Sequence, residues 1–219
     1  MNFKRFTSKK MSEEKTPEKS DTSSSGDITV VGDNVYFFCD VDAKTCRDLI
    51  VKLSELDAIP TNDPVKLHIL SDGGCVMSAL AVVGTIKNMK REVHSYVSGA
   101  AISAGTIISV VCDKRLMYEN SYMLIHQVSS MFMGTFSEYV DEWENMTKLM
   151  DDLKSLYEEN SKMIKEDLDK ILKHDLYFSS RRCLELGLVD EVIVNKSKRT
   201  RKRKRTFTTT EPTTKRRRS

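Results

Sequence analysis

A serine within a run of small residues is the first candidate for chemistry. The segment Gly-Ala-Ala-Ile-Ser-Ala-Gly covers residues 99–105 and contains Ser103. It is one residue away from the G-x-S-x-G pattern, in which a nucleophilic serine sits on a turn between a strand and a helix. Small neighbours let a carbonyl group reach the hydroxyl, and a helix N-terminus stabilises a negatively charged oxygen. The alternative is that Ser103 only caps the helix.

A serine nucleophile needs a base, and the base needs an acid that orients it. His126 ends a predicted strand and opens a loop, and Asp175 occupies a similar place after a helix. Three other histidines lie inside strand patterns or at the polar end of a helix: His68, His94 and His174. Position alone selects neither a base nor an acid securely.

A second glycine-rich turn, Ser-Asp-Gly-Gly at residues 71–74, also separates a predicted strand from a predicted helix. Paired glycines allow another backbone or a substrate to approach closely, and they expose amide N–H groups. A phosphate-binding turn would look similar, but this one lacks the Walker lysine and a third glycine. A structural turn and a binding turn both stay open.

Strand and helix patterns alternate along the chain around these turns. Strands are predicted at 65–70, 92–97, 116–119, 122–126 and 189–194, and helices at 43–57, 76–90, 102–112, 165–173 and 180–186. A hairpin is predicted near Gly32, and a small-residue turn at 98–101. One long helix is predicted at 135–163, with an apolar stripe that packs within the chain or against another subunit. This alternation indicates an α/β domain with at least partly parallel pairing.

Composition divides the chain into three regions. Residues 1–27 are polar and predicted to be disordered, residues 28–195 form the folded domain, and residues 196–219 form a disordered basic tail. The tail contains twelve Lys and Arg and one acidic residue, whereas the rest contains 23 basic and 31 acidic residues. The tail could bind nucleic acid through its charge, or be a solvated extension without a specific partner.

The cellular setting is predicted from what the sequence lacks. No apolar run reaches the roughly 18 residues that span a bilayer, and no apolar stretch follows the basic N-terminal residues. The five cysteines form no CxxC pair, so neither a disulfide framework nor a zinc site is expected. We therefore expect a soluble cytoplasmic protein that binds neither a membrane nor a metal.

Five segments together resemble the proteolytic subunit of the ATP-dependent Clp protease (ClpP), in that family's order and nearly its spacing. They are LSDGG (70–74), GAAISAG (99–105), LIHQ (124–127), DLYFSS (175–180) and LGLVDEVI (186–193). The resemblance runs from about residue 28 to residue 194. It implies a ClpP/crotonase-like α/β fold of repeated β-β-α units with a long protruding handle helix at 135–163.

The resemblance also implies the roles of individual residues. Ser103 matches the nucleophile, His126 the general base and Asp175 the acid that orients it. The backbone N–H groups of Gly74 and Ala104 match the oxyanion hole. An extended peptide substrate would pair with residues on both sides of a groove: Gly73, Cys75 and Val76 on one side, Phe132 and Gly134 on the other.

An assembly is implied as well. Subunits of this family form seven-membered rings that stack in pairs around a chamber, and an AAA+ unfoldase of the Clp type spends ATP to thread unfolded proteins into it. The peptidase itself would need no cofactor. Asp72 departs from the family pattern, in which a proline is usual, and it adds a negative charge near the oxyanion hole.

Two alternatives to an ATP-dependent serine endopeptidase remain open. One is a catalytically silent ring subunit or nucleic-acid scaffold. The other is a specialised processing protease, for example a viral one, which the basic tail at 196–219 holds on nucleic acid.

Overall fold

An eight-stranded mixed sheet organises residues 28–194, the part of the chain that the computed structural model describes. The strands are β1 (Thr29–Val31), β2 (Asn34–Phe37), β3 (Val65–Ser71), β4 (Val93–Ile102), β5 (Lys114–Tyr118), β6 (Tyr122–Leu124), β7 (Phe178–Ser179) and β8 (Glu191–Ile193). The helices are α1 (Ala43–Asp57), α2 (Val76–Asn88), α3 (Ala104–Val110), α4 (Phe136–Glu159), α5 (Lys165–Ile171) and α6 (Ser180–Leu186). The predicted tails, 1–27 and 196–219, lie outside the described residues.

Strand β4 is the point at which the sheet divides. The main sheet runs in the order β1-β2-β3-β4-β5-β8, and all its neighbours are parallel except the β1–β2 hairpin. Residues 94–97 of β4 pair with β5, whereas residues 100–102 pair in parallel with β6, which in turn pairs with β7. The carboxyl ends of β3, β4 and β6 therefore meet, which is where parallel sheets generally form their sites.

Local signals explain the start and the packing of α1. Asp42 caps the helix, because its carboxylate accepts a hydrogen bond from Thr45 N–H at 2.8 Å. The Thr45 hydroxyl accepts one from Asp42 N–H at 3.0 Å, which completes a capping box. Leu49, Leu53 and Leu56 face the core on one stripe. The predicted helix at 43–57 is confirmed at both ends.

The outer face of the main sheet carries a ladder of rings. His68 on β3 stacks between Tyr36 on β2 and Tyr96 on β4, with ring centroids 4.7 and 4.9 Å apart. Its Nε2 lies 3.1 Å from Asn34 Oδ1. His94 lies on β4, and its Nε2 contacts the neighbouring Glu92 carboxylate. Both histidines thus occupy the strands to which the sequence assigned them, where ring and carboxylate contacts engage them.

The structure corrects the prediction of a turn at 98–101. Those residues continue β4, because the second half of the strand pairs with β6, a partner that lies far away in sequence. Helix α3 consequently begins at Ala104 and not at Ile102. Pairing with a strand distant in sequence here overrides the local preference of small residues for a turn, as is common in strands.

Helix α4 is shorter than predicted, and only part of its apolar stripe is covered within residues 28–194. It ends at Glu159 and not at Met163. Leu153 and Tyr157 are buried, whereas Phe136 is 84% and Trp143 75% exposed. The C-terminal part of the stripe therefore packs within the chain, whereas large apolar side chains of the N-terminal part are exposed.

The backbone at the junction of β4 and α3 is strained. Ser103 has φ +51° and ψ −122°, and among residues 28–194 it is the one non-glycine residue with positive φ. Such a conformation costs on the order of 1–3 kcal/mol and persists only where its surroundings hold it. Ser103 N–H donates to Leu124 O at 2.8 Å, and Ser103 O accepts from Thr106 N–H at 2.9 Å.

This strain predicts that a glycine variant at position 103 is more stable to unfolding than an alanine variant. Both Ser103→Gly and Ser103→Ala remove the hydroxyl, but only glycine adopts positive φ without steric cost. We expect Ser103→Gly to be more stable than Ser103→Ala by about 1 kcal/mol in urea unfolding. At Ser109, inside α3, the order should reverse because glycine weakens a helix by about 1 kcal/mol relative to alanine. An alanine advantage at both positions would contradict the strain.

Candidate active site

Ser103, His126 and Asp175 lie in contact at the carboxyl ends of β4 and β6. The Ser103 Oγ is 2.8 Å from His126 Nε2, and His126 Nδ1 is 3.2 Å from Asp175 Oδ1. The hydroxyl can donate to Nε2 while Nδ1–H donates to the carboxylate. This is the arrangement in which an imidazole can remove a proton from a serine.

Two neighbouring contacts place the base and the acid. His126 follows the buried Ile125, which anchors the end of β6. The next residue, Gln127, donates its N–H to the carbonyl of Leu172 at 3.0 Å, and Leu172 is the C-cap of α5. Since Asp175 follows α5 by a few residues, this bond ties the loop after His126 to the segment that carries the acid. The His126 side chain is 29% exposed and the Asp175 side chain 77%.

The Gly73–Gly74 turn packs against the Ser103 junction so closely that a side chain has no room. A Cβ added at Gly73 would lie 2.7 Å from Ser103 Cβ and 3.2 Å from Ala104 N. A Cβ added at Gly74 would lie 2.3 Å from Val41 O. Both glycines also have positive φ, of +96° and +139°. The turn between β3 and α2 therefore lies against the amide of Ala104.

Of the two residues predicted for the oxyanion hole, Gly74 lines the same cavity as Ser103, and Ala104 follows Ser103 directly. Val41 N–H donates to Gly73 O, and Cys75 N–H donates to Val41 O, each at 2.7 Å. This isolated bridge does not use the N–H of Gly74, which borders the same cavity as Ser103. Ala104 N begins α3 directly after Ser103. Two N–H groups at these positions can stabilise a negatively charged oxygen at the reacting carbonyl.

A cavity of about 440 Å³ opens beside Ser103. Most of its walls are apolar, with contributions from Val76, Ile102, Ile107 and Leu124. Helix α4 contributes three more side chains: Met150, Leu153 and Tyr157. All three belong to the apolar stripe of the long helix predicted at 135–163, and spacing alone does not show that they face the site.

The residues predicted to bind substrate are only partly gathered around this cavity. Val76 borders it, whereas the Gly73 carbonyl and the Cys75 N–H are already paired with Val41. Phe132 and Gly134 do not line it. The Phe132 ring packs edge to face on Tyr139, with ring centroids 5.3 Å apart.

Acidic groups border the cavity without a matching cation. Asp72 and Asp175 both line it and are exposed, and among residues 28–194 no Lys or Arg contributes to its wall. Nearby, Cys75 is exposed, and its pKa is lowered by hydrogen bonding from the side chain and backbone of Ser78. Burial instead raises the pKa of Cys112 to about 12.

Within the described part of the chain, no cluster of His, Cys, Asp and Glu has the geometry to hold a metal ion. Across residues 28–194, none of the helices combines the length and apolar character needed to cross a bilayer.

Sequence comparison identifies relatives over most of the chain. The proteolytic subunit of the ATP-dependent Clp protease from Streptococcus sanguinis is 31% identical over 160 residues, covering 71% of this chain and 81% of the relative. That from Streptococcus pneumoniae is 30% identical over 161 residues, covering 72% and 82%. That from Deinococcus radiodurans is 28% identical over 155 residues, covering 70% and 76%.

The structure agrees with these matches and confirms the predicted fold. A mutant of ClpP1 from Listeria monocytogenes superposes with a TM-score of 0.68 at 25% sequence identity, covering 75% of this chain and 92% of the other. The sequence model of the Clp protease family matches residues 30–196, which includes every residue of the site described above. This chain belongs to the Clp protease family.

Proposed function

We propose that this chain is a serine endopeptidase subunit that hydrolyses peptide bonds of unfolded proteins, with Ser103 as its nucleophile. The observation that supports this most directly is the 2.8 Å contact between Ser103 Oγ and His126 Nε2, beside a glycine turn that packs directly against the Ser103 junction. Membership in the Clp protease family supports the same chemistry.

The geometry supports a two-stage mechanism. His126 Nε2 takes the proton from Ser103 Oγ as the oxygen attacks the peptide carbonyl carbon. Asp175 accepts the Nδ1–H bond, so it fixes the tautomer and stabilises the imidazolium. The imidazolium then gives its proton to the leaving amine, and the C–N bond breaks to leave an ester on Ser103. Water, deprotonated by His126, hydrolyses that ester and restores the serine.

Both stages develop negative charge on the carbonyl oxygen of the substrate, and the site must stabilise this charge. The N–H groups of Gly74 and Ala104 would donate to this oxygen, and each such donor typically contributes on the order of 10²–10³ in rate. Ala104 N also opens α3, so the helix dipole favours the same negative charge.

Substrate would enter along the glycine turn. The cavity beside Ser103 can take the side chain that precedes the cleaved bond, and its wall favours an apolar one. The peptide backbone would extend past residues 73–76, with the segment around Phe132 and Gly134 on the opposite side. The bridge to Val41 does not use the N–H of Gly74, which would donate to the substrate along this path.

The assembly follows from the family and from the exposed part of α4. We propose heptameric rings that stack in pairs and receive unfolded proteins from an AAA+ unfoldase of the Clp type in the cytoplasm. The exposed Phe136 and Trp143 supply an apolar surface suited to contact with a second ring. ATP would be consumed by the unfoldase, and the chemistry assigned to Ser103 and His126 needs neither a metal nor another cofactor.

The contacts at Ser103 and His126 favour an active peptidase over a catalytically silent ring subunit. The nucleic-acid role proposed for residues 196–219, and with it the tethered processing protease, concerns a region outside the described residues. Its support is the charge of that region alone.

Hydrolysis of a short fluorogenic peptide tests the proposed chemistry, because such a peptide needs no unfoldase. Ser103→Ala and His126→Ala should each lower kcat by about 10⁴-fold or more, and Asp175→Asn by about 10²-fold or more. Ser98→Ala, which removes a β4 hydroxyl that donates to Tyr96 O, should keep wild-type activity.

An oligomer of wild-type protein that cleaves no peptide would refute the proposed function. So would a Ser103→Ala variant that retains the wild-type rate.

The two acidic residues that line the cavity, Asp72 and Asp175, predict a preference for basic substrates that can be measured separately. Two peptides differing only by Lys or Gln beside the cleaved bond should differ in kcat/KM by about 2- to 5-fold in favour of Lys at low salt, because Asp72 is exposed and screened. Asp72→Asn, or 0.5 M NaCl, should remove most of this preference. Asp141→Asn, an exposed acid on α4 outside the cavity, is the matched control. An unchanged ratio in Asp72→Asn would exclude Asp72 as a selectivity determinant.

A further inference from the structure

A chain of hydrogen bonds connects the long helix α4 to the backbone of the serine. The hydroxyl of Tyr157 lies 2.6 Å from Thr106 Oγ1, and Thr106 Oγ1 lies 2.6 Å from the carbonyl oxygen of Ser103. Tyr157 is on α4 and Thr106 is on α3, so the chain crosses between two elements that are distant in sequence. The mechanism proposed above uses neither hydroxyl.

The direction of the bonds is fixed by the groups involved. A carbonyl oxygen only accepts, so the single hydroxyl proton of Thr106 must be donated to Ser103 O. Thr106 Oγ1 is then left as an acceptor toward Tyr157, and the Tyr157 hydroxyl must donate. Burial raises the pKa of Tyr157 to about 12, so its hydroxyl keeps the proton that this direction requires.

Both side chains of this hydrogen-bonded chain are buried. Thr106 is fully buried, and Tyr157 is only 4% exposed. A buried hydroxyl that loses its partner is left unsatisfied, which is costly. Successive hydrogen bonds also polarise one another, so Tyr157 strengthens the bond that Thr106 makes to Ser103.

The bond from Thr106 acts on Ser103, the strained residue of the site. Ser103 O accepts from both the N–H and the hydroxyl of Thr106, while Ser103 N–H donates to Leu124 O. These bonds hold the peptide groups on both sides of the Ser103 Cα. The direction of Oγ toward His126 Nε2 depends on that backbone, and small displacements of a nucleophile can cost large factors in rate.

Helix α4 supports the base from the same side. Val128 N–H, two residues after His126, donates to the thioether sulfur of Met150 at 3.1 Å. Met150 and Tyr157 both line the cavity beside Ser103. One helix therefore contacts both Thr106, which bonds the Ser103 carbonyl, and the loop that follows the base.

We propose that Tyr157 is a positioning residue for the peptidase reaction, acting through Thr106 to hold the Ser103 backbone in its strained, reactive conformation. The inference rests on the proposed function, since it assigns a role within that chemistry. The Tyr157 ring lines the cavity, but its hydroxyl does not touch the reacting atoms, so the hydroxyl contributes to the rate of attack. Through it, α4 is coupled to the nucleophile.

The experiment compares kcat and KM for one fluorogenic peptide, using variants in the full-length assembled protein. Tyr157→Phe removes the hydroxyl and keeps the ring that lines the cavity. It should lower kcat by about 3- to 10-fold with KM within about 2-fold of wild type. Thr106→Val should lower kcat by about 10-fold or more, and Thr106→Ser, which keeps the hydroxyl, should stay within about 2-fold.

A double variant distinguishes a connected chain of hydrogen bonds from two contacts that act independently. If Tyr157 acts through Thr106, then Tyr157→Phe combined with Thr106→Val should be no slower than Thr106→Val alone. Multiplied losses would overturn the chain and leave two separate effects.

Two controls separate positioning from loss of stability. Ser155→Ala removes another α4 hydroxyl, which bonds Asp151 O on the same helix away from the cavity, and should not change kcat. Ser95→Ala breaks a buried hydroxyl pair with Ser109 on α3, with no contact to Ser103. It should lower the melting temperature while leaving kcat unchanged well below that temperature.

The outcomes distinguish the two proposals. Wild-type oligomer without peptidase activity would defeat the proposed function, and the positioning role with it. Active wild type with an unchanged kcat in Tyr157→Phe would defeat the positioning role alone. A loss of kcat in Ser95→Ala equal to that in Tyr157→Phe would also defeat it, since a general loss of stability would then explain both.

Discussion

The hydrogen bond from Ser103 N–H to the carbonyl of Leu124 is the interaction on which the geometry of the site depends. It extends the pairing of β4 with β6 to the last residue before α3, so the strained turn is fastened to the strand that leads to His126. Because both partners are backbone groups of neighbouring strands, the separation of the two side chains is set by the sheet. The 2.8 Å contact between Oγ and Nε2 follows from that register.

A second constraint acts from the side of β3. Parallel strands bring the Gly73–Gly74 turn against Ser103 on one side and against Val41 on the other. No side chain fits in either direction, and the positive φ values exclude most residues on conformational grounds as well. The crowding that demands glycine also places the Ala104 amide near the turn, so packing and electrostatics are satisfied by the same residues.

Much of this could be predicted from the sequence, where the causes are local. The cap at Asp42 and the apolar periodicity of α1 depend on residues within a few positions, and α6 was predicted with its observed bounds. The predicted strand at 92–97 lacks the last five residues of β4, because residues 100–102 pair with β6, and a run of small residues gives no local signal of that pairing. The juxtaposition of Ser103, His126 and Asp175 is expected from the resemblance, since the local pattern marks Ser103 as a candidate but position alone selects neither His126 nor Asp175. The contribution of Tyr157 was missed because it meets Thr106 only through tertiary packing.

The most direct measurement of the central claim is the site of covalent modification by a fluorophosphonate, which reacts with an activated serine hydroxyl. We expect a single adduct per subunit, located on Ser103 by peptide mapping, and almost none in a His126→Ala oligomer, because the hydroxyl then lacks its base. An adduct on another serine, or equal labelling of Ser103 without His126, would contradict the assignment of Ser103 as a nucleophile activated by His126.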